Sequence, residues 1–270
     1  MSKRLQSRSL LLIVLMAAVG CGGGETTDFV VIDGRRVAFE VAGYRSATVV
    51  FESGFGNDRG VWSSVLGDVS TFARAFRYDR PGYGASDSTM TPRTASQIVS
   101  ELRATLSAAG LDPPYVLVGH SLGGMYMEYY AKTFPEEVSA LVLVDSKPAD
   151  VYGRCVAEFN ADRCGPSDDQ VDGLPAHMQA EWRAIPQAEM ELMAALPLRP
   201  MPFFVLSAEL PEDPTGSDVH ELWLQAQADL AAQLPTSVHI VVPGSRHYIQ
   251  LDAPQAVIDA VRSAVDAASD

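Results

Sequence analysis

The chain has 270 residues, with 34 acidic side chains against 20 basic ones, a formal charge of −14 and a pI near 4.7. That length allows one sizeable domain or at most two small ones, and 47% hydrophobic with 20% charged residues suits a buried core rather than disorder. The acidity argues against a nucleic-acid partner, which needs a clustered basic face, and no run of 18 apolar residues is present to span a membrane as a helix.

At the N-terminus, Lys3, Arg4 and Arg8 precede an unbroken apolar run, Leu10–Val19, which closes on small residues and Cys21. Ten apolar residues are too few for a bilayer but suit the central region of a secretory signal. The pattern resembles a bacterial lipoprotein signal, with Ala18 where the usual pattern prefers Leu. The resemblance implies cleavage before Cys21, lipidation of that cysteine and attachment at the cell envelope. The other reading is plain export, periplasmic or secreted, with Cys21 incidental. In both, residues 1–20 are removed, which takes the charge from −14 to −17. Residues 21–27 are then a tether rich in glycine, Gly22–Gly24, ahead of a domain over 28–270. Cys155 and Cys164 are the only intramolecular pair left for an oxidising compartment. A bridge closing so short a loop is worth roughly 2–3 kcal/mol on the chain-entropy account. A zinc site there would lack a nearby histidine.

Phe29–Ile32 and Val37–Val41 flank Asp33-Gly34, a hairpin signal. Thr48–Glu52 is a third short strand, ending in the loop Ser53-Gly54-Phe55-Gly56. Phe72–Tyr78 is a fourth, followed by the turn-rich Asp79–Gly84. Thr94 to Ala109 has helical spacing at Ile98, Leu102 and Leu106, with Gly110 as its stop. Tyr115–Val118, Leu141–Val144 and Phe203–Leu206 are continuous apolar runs of the kind buried on both faces, and Val238–Val242 repeats the pattern but for His239. Met125–Phe134 and Pro254–Ala267 are helical. Strands alternating with helices predict a mostly parallel sheet covered on both sides. Ser146–Pro202 breaks the alternation: it has no strand pattern, two cysteines, several prolines and a helical segment whose apolar residues form no clean stripe. An insertion of that size between two strands is a candidate cap.

Gly119-His120-Ser121-Leu122-Gly123 stands between an apolar strand and a helix, the context in which Gly-x-Ser-x-Gly carries chemistry. The serine there sits on a sharp turn at the carboxyl edge of the sheet, near the positive end of the following helix. A serine hydroxyl needs a neighbouring base. Of five histidines, His120 adjoins the serine and should leave the turn in another direction. His177 lies in the insertion, His220 starts a helical stretch and His239 is within a strand. His247, in the loop directly after the last strand, is the one placed to swing over Ser121. Asp79 and Arg80 read as a structural ion pair bracing their turn. No His-Glu-x-x-His, His/Cys cluster or phosphate-binding glycine loop is present, so neither metal nor nucleotide is implied.

From about Asp28 to Ala267 the chain resembles a serine-dependent α/β-hydrolase of the esterase and lipase kind. The matching residues are Tyr78–Ser86, Gly119–Gly123, and the His247 loop followed by Asp252-Ala253-Pro254. The resemblance implies a cap between strands six and seven, matching the insertion at about 146–202, and no cofactor. It places the oxyanion donors at the backbone N–H of Leu122 and of Phe55. The triad acid follows strand six or strand seven in this family: Asp145 is first choice, then Glu209, then Asp213. Against Asp145 stands the reading that it merely caps a turn. The expected activity is hydrolysis of a carboxylic ester, or a related amide or lactone, through an acyl-enzyme on Ser121 with His247 as base. The partner is then a small acyl substrate, with membrane contact only through Cys21. Two rivals share the sequence: a non-catalytic surface binding protein on this fold, and cofactor-free haloperoxidase-like chemistry. Serine at the elbow, where haloalkane dehalogenases and epoxide hydrolases have aspartate, argues against those two.

Overall fold

The structure is a computed structural model that describes residues 27–212 and 216–269; the signal and tether read in the sequence, Cys21 included, lie outside the described residues. Eight strands form one sheet: β1 (Asp28–Ile32), β2 (Arg35–Ala42), β3 (Thr48–Glu52), β4 (Arg74–Tyr78), β5 (Tyr115–His120), β6 (Val138–Val144), β7 (Phe203–Ala208) and β8 (Val238–Val242). Their order is β1-β2-β4-β3-β5-β6-β7-β8. β1 and β2 make the hairpin, with Asp33 at φ 49° and Gly34 at φ 77° as its two-residue turn. β2 pairs antiparallel with β4, and every pair from β4 to β8 is parallel.

The helices are α1 (Ser63–Ser70), α2 (Ala95–Ala108), α3 (Leu122–Thr133), α4 (Val151–Glu158), α5 (Ala161–Cys164), α6 (Asp168–Asp172), α7 (Ala176–Ala194), α8 (Ser217–Ala231), α9 (Ile249–Asp252) and α10 (Pro254–Ala267). The central strands read as continuous apolar runs because both faces are covered; β8 does not fit the expectation made for it, since as an edge strand it leaves Val238–Val241 exposed and buries only Val242. Val50, Leu117, Leu141 and Leu143 point into a core with α2, α3 and α8. Their chain neighbours Val49, Phe51, Val116, Val118 and Val142 point the other way, against α1 and α10. Each such side chain, fully buried, contributes about 1.5–3 kcal/mol over leaving it exposed. α2 starts on the Thr94 side chain, which accepts from the Gln97 N–H, and buries Ile98, Leu102 and Leu106.

α1 had no sequence expectation: Val65, Leu66 and Val69 are its buried face, and eight residues are too few for the helical period to declare itself. Between β6 and β7 the chain leaves the sheet for α4–α7. α7 buries Glu181, Ile185, Ala188 and Leu192. That is a regular stripe, hidden in the sequence because its first member is a carboxylate. The start of α7 overhangs the loops after β3 and β4, with His177 edge-on to Tyr83 and Trp182 edge-on to Phe55. Cys155 and Cys164 form a disulfide that ties α4 to α5, and α4 packs on α8 through Val151, Cys155, Leu222 and Ala226.

Candidate active site

A single residue, Ser121, separates β5 from α3, at φ 53° and ψ −124°. Non-glycine residues avoid this region, at a cost of about 1–3 kcal/mol, so neighbouring bonds must hold it. The Ser121 N–H donates to the Val144 carbonyl (3.2 Å), and its own carbonyl accepts from the N–H groups of Gly124 and Lys147 (2.9 Å each). Gly123 is required by close approach: a Cβ there would stand 2.4 Å from the Ser53 carbonyl oxygen. Leu122 opens α3, so its N–H has no acceptor within the helix and lies at the positive end of the helix dipole.

Asp145 directly follows β6, buried, at φ 42°. Its N–H donates to the Leu206 carbonyl at 2.7 Å, which fixes the residue against β7. The carboxylate divides its work. Oδ1 accepts from the Ala208 N–H and the Trp223 Nε1–H, both at 3.0 Å, while Oδ2 is 2.6 Å from His247 Nδ1. Burial alone would push the Asp145 carboxyl up; the bonds from His247, Trp223 and Ala208 together outweigh it and hold it below the usual carboxylate range. An ionised Asp145 keeps the imidazole proton on Nδ1, which leaves Nε2 as the basic nitrogen.

His120 lies beside this ring, centroids 4.7 Å apart, with its Nε2 2.9 Å from the His247 carbonyl oxygen. Burial first, then the neighbouring His247, hold the His120 pKa down to about 3. The neutral ring therefore donates its Nε2–H to that carbonyl and pins the loop from beneath. Further bonds fix the same loop. The Gly244 N–H donates to Glu209 Oε2 (2.8 Å) and the Arg246 N–H donates to Asp252 Oδ2 (2.9 Å).

Ser121, Asp145 and His247 line one cavity of about 900 Å³ together with Trp182, Ile185 and Trp223, a size typical of small-molecule sites. Helices α4–α7 supply much of its wall, where Lys147 is ion-paired with Glu189. Glu209 takes another place: it is exposed, its carboxylate is bonded to the Gly244 N–H and its carbonyl to His220 Nε2. Asp213 lies outside the described residues. Asp145 does not bond the turn that follows it; its acceptor oxygens go to β7, α8 and the His247 loop. Gly54 abuts the elbow, since a Cβ on it would be 3.1 Å from Ser121 Cβ, and Phe55 packs against the apolar cluster that includes Leu122.

Asp79 and Arg80 are not paired with each other, as the sequence reading had them. Asp79 does brace the turn, accepting from the Ala85 N–H (2.8 Å) and pairing with Arg59. Arg80 points the other way, to Glu52 and Glu181, two buried carboxylates whose charge needs a close opposite partner there. His239 bonds Ser207 Oγ and His177 packs on Tyr83, both away from His247. Trp223 and Glu181 went unread, since nothing local in α8 or α7 marks them out. Among the described residues no group of three or more His, Cys, Asp or Glu side chains is arranged to hold a metal ion. A hydroxyl on a strained turn, a basic imidazole nitrogen and a buried carboxylate orienting that imidazole are the parts required for nucleophilic acyl transfer.

Residues 49–260 match the alpha/beta hydrolase family. The protein YqjL of Bacillus subtilis (strain 168) is 26% identical over 215 residues, 80% of this chain and 82% of its own. A thermophilic esterase from Thermogutta terrifontis superposes with a TM-score of 0.63 at 18% identity, covering 90% of this chain and 99% of that one. The enol-lactonase from Burkholderia xenovorans LB400 does so with a TM-score of 0.60 at 17% identity, covering 88% and 100%. At those identities the two structures speak to the fold. With the match over 49–260 and the sheet order above, the chain belongs to the alpha/beta hydrolase family.

Proposed function

We propose that this hydrolase is a serine esterase, cleaving a carboxylic ester or a related acyl bond through an acyl-enzyme on Ser121. The observation that carries the reading is the 2.6 Å Asp145–His247 contact on the wall of the cavity that Ser121 also lines. His247 Nε2 takes the Ser121 proton as Oγ attacks the acyl carbon, and the N–H groups of Leu122 and Phe55 receive the developing oxyanion. Donors of this type are worth about 3–4 kcal/mol each. His247 then passes the proton to the leaving alcohol. Water, activated by the same nitrogen, attacks the acyl-enzyme, and the acid leaves as Ser121 regains its proton. Asp145 holds the imidazole in its tautomer and stabilises the imidazolium. Helices α4–α7 act as a cap whose Trp182 and Ile185, with Trp223 from α8, offer the acyl group an apolar wall. The sequence of the first 21 residues supports export, with a lipid anchor at Cys21.

The test is turnover of p-nitrophenyl butyrate stopped with acid in the first cycles and read by peptide mass spectrometry. A butyryl mass on the peptide carrying Ser121 is the expected result. Turnover with no adduct, unchanged by Ser121→Ala, would overturn the reading.

A further inference from the structure

Arg80 is 2% exposed, although cationic. Its Nη1 donates to Glu52 Oε1 at 2.6 Å and also to the Ser53 carbonyl; its Nη2 donates to the Gly54 carbonyl at 2.8 Å; its Nε lies 3.1 Å from Glu181 Oε1. Glu52 and Glu181 are fully buried. Tyr78 donates its hydroxyl to Glu52, and Tyr83 and Tyr126 donate theirs to Glu181. Stability alone does not account for such a cluster, because buried ion networks can often be replaced by uncharged side chains of similar volume without loss.

The cation's reach gives it a more specific use. It holds two successive carbonyls, those of Ser53 and Gly54, immediately before Phe55, on a loop packed against Ser121. A trans peptide is planar, with its C=O and N–H opposed. With the Gly54 carbonyl on the guanidinium, the Phe55 N–H is turned to the side away from Arg80. Rotating that peptide would break a charge-assisted bond and aim an N–H at a cation. The second carboxylate of the cluster, Glu181, comes from α7, whose next residue, Trp182, lines the cavity.

We propose that Arg80 is a positioning residue: by holding the Ser53 and Gly54 carbonyls it orients the 54–55 peptide so that the Phe55 N–H serves the oxyanion, and Glu181 ties that orientation to the seating of α7. The inference rests on the acyl-enzyme reading above. It separates Arg80 from residues that only support the fold, because its loss should act on the transition state and not on substrate binding.

The experiment compares wild type with Arg80→Lys, which keeps a cation but lacks the planar fork that reaches both carbonyls. It uses kcat and KM for p-nitrophenyl butyrate and the inhibition constant of an aliphatic trifluoromethyl ketone, whose hemiketal places an oxyanion in the same position. The expected result is a fall in kcat of about 100-fold, the usual effect of losing one oxyanion donor, with KM within about threefold and the ketone weakened in step with kcat. Should Arg80→Lys misfold, Arg80→Met with Glu52→Gln and Glu181→Gln carries no buried charge in the cluster and no donor to the carbonyls, and the same pattern is expected. Glu181→Gln alone should weaken the ketone less than Arg80→Lys does. Variants that keep kcat, or that lose kcat while the ketone binds as before, would overturn the inference. A wild type without esterase activity would overturn the hydrolase reading and this inference with it, whereas an active wild type with indifferent Arg80 variants overturns the inference alone.

Discussion

Asp145→Asn probes the site through one atom. Oδ1 already accepts two N–H groups, from Ala208 and Trp223, so an asparagine keeps its carbonyl oxygen there and turns its NH2 toward His247 Nδ1. Donor then faces donor, and the imidazole moves its proton to Nε2 so that Nδ1 can accept. Nε2 is no longer a base for Ser121, and the imidazolium formed during attack has lost its counter-charge. With opposite charges 2.6 Å apart and an effective dielectric of about 20, that counter-charge is worth about 6 kcal/mol. The tautomer penalty at comparable Ser-His-Asp sites is about 10⁴ in kcat, or about 5–6 kcal/mol, so both routes lead to the same size of effect. The assay is kcat/KM on p-nitrophenyl butyrate at pH 8, with urea unfolding to show that the variant is folded. Glu209→Gln is the companion, expected within about threefold of wild type because that carboxylate bonds only the exposed Gly244 N–H. An Asp145→Asn enzyme within tenfold of wild type would refute the assignment of the acid, and a large loss in Glu209→Gln would transfer it.

His120 makes stability depend on pH with a definite sign. Its folded pKa of about 3 lies below the ordinary 6.5, so between those values the unfolded chain binds a proton that the folded chain refuses. Its contribution is full above pH 6.5 and declines by about 3 kcal/mol by pH 4. Urea unfolding should show that decline in wild type and a shallower one in His120→Gln; parallel curves would contradict it. Cys155→Ala with Cys164→Ala opens a bridge between residues nine apart and should lower unfolding free energy by about 2–3 kcal/mol, with a rise in KM as the α4–α5 wall loosens; an unchanged midpoint in urea would count against this. Gly123→Ala forces a methyl onto the Ser53 and Glu52 carbonyls. Such overpacking costs about 1–3 kcal/mol, and a variant with wild-type melting and kcat would show the approach to be looser than described.

The sheet was the most legible part of the sequence. Runs such as Val116–Val118 and Leu141–Val144 are apolar at every position because helices cover both faces, and their short length between turns marks them as strands rather than buried helices. Ser121 and His247 were legible as candidates through their position at strand ends. The candidate acid was less so: position ranked Asp145 ahead of Glu209, but the 2.6 Å contact with His247 that sets Asp145 apart joins residues 102 apart in the chain and leaves no local pattern. Trp223 comes from a different helix and Glu181 from a stripe that begins with a charge, so neither leaves a local signal. Arg80 was legible as part of a motif but was paired with the wrong residue. Its real partners, Glu52 and Glu181, lie 28 and 101 residues away, beyond the reach of any local pattern.

The most direct test of the central claim is labelling of the purified protein with a fluorophosphonate, followed by mapping of the adduct by mass spectrometry. The account predicts one adduct, on Ser121, formed rapidly in wild type and slowly or not at all in His247→Ala. Folded protein that takes no label, or that takes it equally well without His247, would contradict an activated serine.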